Sequence, residues 1–279
     1  MTPPALAVEG LTKHFALRGA MLKKGSSTVH AVDDVSFAVP QGSTLALVGE
    51  SGCGKSTAAR CIVGLTAPTG GRILLHGEDV TKHAAMRRHR REIQMISQNP
   101  GSALNRRMTI RHSLMQPLLT HRVGRSRQDR ESRVRDLLER VGLGAEYLDR
   151  HPAAISGGQL QRVVIARSLA VQPSVLILDE PTSSLDVSVK AKLMNLFMEL
   201  QREMSLTYVL ITHEIGLASH VADHIAIMYL GKIVELGPTE QVMERPRHPY
   251  TKLLLASLPV ADPRAVSYTH LTLPTILRV

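Results

Sequence analysis

Residues 49–57, GESGCGKST, have the types and the spacing of a phosphate-binding loop. They follow the apolar run 45–48 and precede the helix-compatible run 58–63, so the order is strand, glycine-rich loop, helix. Small residues let backbone N–H groups turn towards an anion, and the positive end of the helix dipole adds to the attraction. Lys55 is expected to reach the β- and γ-phosphates, and the Ser56 hydroxyl is expected to ligate Mg²⁺. The predicted nucleotide-binding residues are Gly49, Glu50, Ser51, Gly52, Cys53, Gly54, Lys55, Ser56 and Thr57.

Two carboxylates, Asp179 and Glu180, come directly after the apolar run 175–178. Ligands of open parallel α/β sheets bind at the carboxyl ends of the strands. Asp179 is predicted to hold Mg²⁺, which prefers oxygen ligands, directly or through water. Glu180 is the best candidate for the general base or the water-polarising group. Gln98 and His213 also end predicted strands, so Gln98 would touch the metal or the attacking water and His213 the γ-phosphate. Each of these two residues, taken alone, fits a structural role equally well. Together the four predict phosphoryl transfer to water.

Strand-like and helix-like patterns alternate in the part of the chain that carries these residues. Apolar runs at 45–48, 175–178 and 207–211 are typical of buried strands, a further short strand is predicted at 93–97, and helix-compatible stretches lie between them. Such alternation predicts an α/β fold in which a parallel sheet with right-handed crossovers lies between helices. The polar side chains would then meet at one edge of the sheet, because parallel strands end on the same side.

Two further regions flank this sheet. Alternating residues at 6–15 and 29–39 predict strands of an antiparallel β subdomain, separated by an exposed hairpin insertion at 18–28. The helical pattern from about residue 99 to 172 predicts an inserted α-helical subdomain. The residues that would share one apolar helix face there are Val134, Leu137, Leu138 and Val141.

The composition is that of a globular protein with a large positive charge: 43% of residues are hydrophobic and the formal net charge is +10. Basic residues crowd 82–91 and 122–135; solvated helix faces are the commonest explanation, with nucleic acid or anionic lipid as alternatives. Aromatic residues make up only 3% and none interleaves with these runs, which argues against a base-stacking surface. We expect no transmembrane segment and no secretory signal, and therefore the cytosol. Cys53 and Cys61 have the spacing of neither a disulfide framework nor a metal site.

Six short motifs follow one another along the chain: GESGCGKST at 49–57, Gln98, ISGGQ at 155–159, VLILDE at 175–180, SSLD at 183–186 and His213. In this order they resemble the nucleotide-binding domain of an ABC transporter, over nearly all of residues 6–258. The resemblance implies a P-loop NTPase core, two copies of which enclose two ATP molecules, with the Asp186 loop crossing the interface. It also implies that Phe15 stacks on adenine, whereas a phenylalanine taken alone is more often part of the core. The residues that would contact the γ-phosphate held by the opposite subunit are Ser156, Gly157, Gly158 and Gln159.

Finer features resemble the ATP-binding subunits of oligopeptide, dipeptide and nickel importers. They are the insertion at 18–28 before HAVDDVSF, QNPGSALNRRMT from Gln98, SLDVSV, IMYLGKIVE and RPRHPYTKLLL. The tandem Ser56-Thr57 and the insertion are more similar to the second of the two ATPases that such importers carry, which favours a heterodimer. The departures from the usual leucine, alanine and aspartate are Ile155, Ser184 and Glu214, and none removes a catalytic group.

The resemblance implies an ATPase that powers an importer for peptides or a related small solute. Its expected partners are a second ATPase subunit, two integral-membrane permeases and, indirectly, a solute-binding protein; no nucleic acid is expected. The expected location is peripheral, at the cytoplasmic face of the inner membrane. Two other functions remain open: an accessory ABC ATPase of phosphonate metabolism, and a soluble ABC ATPase acting on nucleic acid or ribosomes. The cargo stays undetermined because selectivity would lie in the partners.

The end of the chain departs from this resemblance. Residues 1–258 are predicted to form the nucleotide-binding domain and 259–265 the start of a truncated C-terminal extension. Residues 266–279, VSYTHLTLPTILRV, bear no relation to the family, and 266–275 resemble a translated transposase-type sequencing adapter. We therefore predict that 266–279 is a non-native tail, which sequencing of the gene from an independent library would test.

Overall fold

The structure is a computed structural model that describes residues 3–16, 28–183 and 185–258, without the side chain of Val187. The insertion at 18–27, Ser184 and the predicted extension and tail at 259–279 lie outside the described residues. The strands are β1 (Leu6–Ala16), β2 (Thr28–Val39), β3 (Thr44–Val48), β4 (Gly70–Leu75), β5 (Glu78–Asp79), β6 (Ile93–Ile96), β7 (Val175–Asp179), β8 (Thr207–Thr212), β9 (His224–Tyr229) and β10 (Lys232–Pro238). The helices are α1 (Lys55–Ile62), α2 (His83–His89), α3 (Pro100–Ala103), α4 (Ile110–Thr120), α5 (Arg127–Arg140), α6 (Gly157–Leu169), α7 (Val187–Met204), α8 (Ile215–Val221), α9 (Thr239–Glu244) and α10 (Pro249–Ala256), with 3-10 turns at Ala145–Tyr147 and Pro152–Ala154.

The strands form two sheets. One has the order β10-β9-β3-β8-β7-β6, parallel except for the antiparallel pair β9 and β10. The other is antiparallel, with the order β2-β1-β4-β5. The predicted α/β fold with a P-loop NTPase core, a parallel sheet and an antiparallel β part is confirmed. Among the described residues, no helix has the length and apolar composition that a membrane span requires.

The parallel sheet separates two hydrophobic cores, because successive side chains of a strand point to opposite faces. In β3, Ala46 and Val48 belong to the core on the helical side, which includes residues of α5, α6 and α7. Leu45 and Leu47 belong to the core shared with α1 and the antiparallel sheet. Both faces are therefore covered, which is why the parallel strands are continuous apolar runs and do not alternate with polar residues.

The stretch between β6 and β7 is helical, as the pattern predicted. In α5, Val134, Leu137 and Leu138 are buried, while the basic residues of the same helix are exposed or only partly buried. α2, in the first basic run, likewise buries Met86 alone among its residues. The exact limits of the helical subdomain stay a prediction.

Candidate functional site

The phosphate loop is the turn between β3 and α1, and its shape depends on glycine at two positions. Gly54 caps α1 with φ 111°, and a Cβ placed on it would lie 2.0 Å from the Ala31 carbonyl oxygen. A Cβ on Gly49 would lie 2.2 Å from the Met228 carbonyl oxygen. Both neighbours are backbone atoms, which cannot turn aside as a side chain can, so the loop is packed closely between β2 and β9. The amino end of α1 therefore opens onto the loop, as anion binding requires.

Lys55 is buried in this loop, with 4% of its surface exposed. Its Nζ donates to the carbonyl oxygens of Gly49 at 2.6 Å and Glu50 at 2.7 Å, and it lies 3.8 Å from Cys53 Sγ. An ammonium has three donors, so two are held by carbonyls and the third faces a weak acceptor that a phosphate oxygen can replace. Burial raises the pKa of the Cys53 thiol, although the charge of Lys55 opposes the shift, so the sulfur is neutral at pH 7.

Ser56 and Asp179 form the second part of the site. Ser56 Oγ, in the first turn of α1, donates to Asp179 Oδ1 at 2.9 Å, and Asp179 is 5% exposed at the end of β7. Burial, with the nearby charge of Glu180, raises the pKa of Asp179 against the opposing effects of the Ser56 hydrogen bond and the Arg60 and Lys55 charges. A cation at this position would relieve the destabilisation of the buried carboxylate. The hydroxyl and carboxylate oxygens are ligands that fit Mg²⁺.

Glu180, which follows β7, contacts residues that follow the neighbouring parallel strands β6 and β8. Its backbone has φ 48°, and its N–H donates to the Ile211 carbonyl oxygen at 3.0 Å. Glu180 Oε2 accepts from Gln98 Nε2 at 3.0 Å, and Oε1 lies 3.4 Å from His213 Nδ1. Glu180 is mostly buried, whereas half of the His213 side chain is exposed. The structure thus places the Gln98 amide and the His213 imidazole in contact with the predicted base Glu180; their catalytic roles stay predictions.

The ISGGQ residues lie elsewhere, at the start of α6. Ser156 Oγ accepts from the Gln159 N–H and Gln159 Oε1 accepts from the Ser156 N–H, which is a reciprocal capping box. Gln159 Nε2 also donates to the Tyr147 hydroxyl at 2.8 Å. The four residues face a groove of about 400 Å³ beside the start of α7. The structure therefore does not bring them to the phosphate loop of their own chain. Residues of this groove include Ser156, Gly157, Gly158, Gln159, Leu185 and Asp186.

Phe15 is not a core residue. It lies near the end of β1 with 43% of its surface exposed, next to the exposed Val29 on β2. Lys13 Nζ lies 5.0 Å from the centre of its ring. An exposed ring at a strand end is free to stack on a flat ligand, and the adenine contact stays a prediction.

Two arrangements were not found from the sequence. Tyr250 of the HPYT segment contacts the phosphate loop. The sequence had indicated only that this segment resembles that of the importer ATPases, and it predicted no contact for Tyr250. A second arrangement lies where β1 and β2 pair. The possible metal-ligating atoms of His14 on β1 and of His30 and Asp33 on β2 lie within 4.8 Å of one another. The imidazole rings of His14 and His30 have centroids 4.0 Å apart and are tilted by 33°, and Asp33 is paired with Lys232 at 3.2 Å. The Lys232 ammonium already neutralises the Asp33 carboxylate, so this set is a polar contact between neighbouring strands.

Comparisons with known families identify the class of protein that this fold and site define. The family model described as "ABC transporter" matches residues 32–183, which is more than half of the chain. The model described as "Oligopeptide/dipeptide transporter, C-terminal region" matches residues 234–273, which overlaps the predicted non-native tail at 266–273. The chain belongs to the ABC transporter family, in the oligopeptide/dipeptide branch of its ATP-binding subunits, and it is an ATPase of that family.

Curated relatives carry similar names. The chain is 45% identical to the oligopeptide transport ATP-binding protein OppF of Bacillus subtilis (strain 168), over 94% of this chain and 85% of that protein. It is 43% identical to the dipeptide transport ATP-binding protein DppF of Escherichia coli (strain K12), over 93% and 78%. It is 47% identical to the glutathione import ATP-binding protein GsiA of Pectobacterium atrosepticum, of which it spans only 42%.

Solved structures support the same fold. cbiO1 from Clostridium perfringens, part of the ABC transporter complex cbiONQ, superposes with a TM-score of 0.75 at 27% identity, covering 88% of this chain and 92% of that one. The ATP-binding cassette MJ0796, in a dimeric post-hydrolysis state bound to ADP and Pi, gives a TM-score of 0.73 at 27% identity, covering 84% and 98%.

Proposed function

We propose that this chain is the ATP-hydrolysing subunit of an importer for peptides or a related small solute, bound peripherally to the cytoplasmic face of the membrane. The proposal includes a second ATPase subunit as its partner, in a heterodimer, and two permeases. A solute-binding protein would act on the permeases from the other side. The names of the relatives and the match to the C-terminal region of peptide transporters favour this function over the phosphonate and nucleic-acid alternatives.

The observation that carries the proposal is the separation of the ATP site into two halves. One half combines the phosphate loop, the Ser56–Asp179 pair and Glu180; the other is the ISGGQ turn on a different groove. A Cβ on Gly157 would meet only Leu185 at 4.0 Å among the described atoms, so packing within the chain does not call for glycine there. Close approach of a ligand or another chain would explain a glycine at this turn. Two chains that exchange these halves would complete two sites.

Each group of the first half has a task that its surroundings support. Bound Mg²⁺ would neutralise charge on the phosphate oxygens, with Ser56 and Asp179 as its protein ligands and Gln98 as a further one. Glu180 would accept the proton of the attacking water. Its contacts with Gln98 and His213 hold the carboxylate in place, and its position outside the Ser56–Asp179 pair leaves it free to act as a base.

A groove of about 340 Å³ supports the permease as a partner. It lies between β6, α4 and α6, and Gln94, Met95, Gln116 and Arg167 are among its residues. β6 leads within two residues to Gln98, so a helix seated in the groove would contact the strand that precedes the amide paired with Glu180. Such a neighbour would couple movement of the permease to the catalytic edge.

Purification of the tagged chain from native membranes tests the proposal. We expect two integral-membrane permeases and a second ABC ATPase to be recovered with it. Gln116→Arg, an exposed groove residue beside Arg167, should lose the permeases and keep ATP binding, whereas the control Gln241→Arg on α9 should retain both. Recovery of lyase components, or of RNA without permeases, would refute import.

A further inference from the structure

The helix α10 reaches the phosphate loop through Tyr250. This residue belongs to the RPRHPYTKLLL segment, which lies outside the six motifs of the nucleotide-binding domain. Tyr250 is 8% exposed, and its hydroxyl oxygen accepts a hydrogen bond from the backbone N–H of Glu50 at 3.2 Å. A side chain near the end of the described chain therefore contacts the start of a loop 200 residues earlier.

The Glu50 N–H belongs to the same peptide group as the Gly49 carbonyl, which accepts a hydrogen bond from Lys55. The C=O of Gly49 and the N–H of Glu50 form one planar trans peptide and point in opposite directions. On one side the Gly49 oxygen accepts from Lys55 Nζ at 2.6 Å; on the other the Glu50 N–H donates to Tyr250. Rotation of this peptide would break both bonds together. Tyr250 thus acts on Lys55 through a single rigid group.

Two sets of contacts position Tyr250: the packing of its ring on Tyr229, and the hydrogen bonds of Glu235 to the backbone just before α10. Its ring packs on that of Tyr229, with centroids 4.4 Å apart, and Tyr229 ends β9, the strand against which Gly49 packs. Glu235 on β10 accepts from the backbone N–H groups of Arg247 and His248 at 2.8 and 3.0 Å, which fixes the start of α10. β10 pairs with β9, so the hydroxyl and the loop are fastened to the same strands.

We propose that Tyr250 is a positioning residue for Lys55: its hydroxyl fixes the Gly49–Glu50 peptide, whose carbonyl aims the lysine ammonium at the bound phosphates. The inference rests on the proposed phosphate-binding role of Lys55. It gives the HPYT segment a task in nucleotide binding, because two carbonyls fix two of the three ammonium donors and leave the third for a phosphate oxygen.

Calorimetric titration of the full chain with a non-hydrolysable ATP analogue and Mg²⁺ tests this. Tyr250→Phe removes one oxygen and keeps the ring, so the fold should persist, as a denaturant unfolding curve would verify. We expect the dissociation constant to rise by roughly two- to twelvefold, the factor that corresponds to one hydrogen bond. Tyr229→Phe, which removes a hydroxyl from the same aromatic pair, should leave the affinity unchanged. An unchanged affinity in Tyr250→Phe would overturn the inference.

A double-mutant cycle separates positioning from a general structural effect. If Tyr250 acts through Lys55, the penalty of Tyr250→Phe should vanish in the Lys55→Ala background. An equal penalty in both backgrounds would mean that Tyr250 only stabilises the fold, and the inference would fall while the role of Lys55 stood. Lys55→Ala with wild-type affinity would instead remove the proposed phosphate contact, and the inference with it.

Discussion

Replacing Glu180 by glutamine isolates the proposed proton acceptor with little change of shape. The amide oxygen can still accept from Gln98, 3.0 Å away, and the backbone at φ 48° is unaffected. What is lost is the negative charge and the ability to take a proton from water. Loss of a general base typically costs about two to four orders of magnitude in rate. At about 1.36 kcal/mol for each factor of ten, the barrier should rise by roughly 2.7 to 5.4 kcal/mol.

The assay is steady-state phosphate release by the assembled complex, alongside nucleotide binding by calorimetry. ATP affinity should be retained, because the Lys55 and Ser56 contacts do not involve Glu180. Glu214→Gln is the matched control: it removes a carboxylate at the same edge of the sheet, where Glu214 pairs with Lys190 at 2.7 Å. That partly exposed pair contributes at most about 1 kcal/mol to stability, so turnover should stay near the wild-type rate. Wild-type turnover by Glu180→Gln would refute the assignment of the base.

Three further predictions concern the rest of the site. Lys55→Ala should weaken ATP binding, since it removes the buried ammonium; an unchanged calorimetric affinity would contradict this. Asp179→Asn should raise the unfolding midpoint of the nucleotide-free protein at pH 7 while abolishing Mg²⁺-dependent ATP binding. The raised pKa of Asp179 means that its ionised form destabilises the fold. The increase in unfolding midpoint given by Asp179→Asn should therefore shrink as the pH falls through that pKa. An increase that does not depend on pH would argue against burial of the carboxylate as its cause. Turnover per chain should fall on dilution if, as proposed, the ISGGQ turn of a partner completes the site; efficient turnover by a strictly monomeric preparation would disprove the shared site.

The sequence predicted the elements that position the chemistry because their signals are local. The apolar runs ending at Val48 and Leu178 are strands β3 and β7, and the helix predicted to begin near Lys55 is α1. In the second half, Leu193, Phe197 and Leu200 lie on the buried face of α7. Burial on both faces makes parallel strands apolar throughout, and a pattern of this kind is readable without knowing which strands pair.

Other features depend on contacts between distant parts of the chain. The order of the strands, with β3 between β8 and β9, decides which carboxyl ends are neighbours. The same order makes Glu180 meet Gln98, 82 residues away, at hydrogen-bond distance. The hydropathy pattern does not indicate which strands pair, because the central strands are all mainly apolar.

Residue types and spacing alone predicted the chemistry proposed for this protein: a loop for phosphates, an oxygen pair for a divalent cation and a carboxylate for a proton. Only the tertiary structure decided that the HPYT segment contacts the loop through Tyr250 and that the ISGGQ turn lies on another groove. The physical reason is the separation along the chain of the residues that interact. Backbone conformation and burial periodicity are set by near neighbours along the chain, whereas a hydroxyl that meets an amide 200 residues away does so because folded strands carry both to one place.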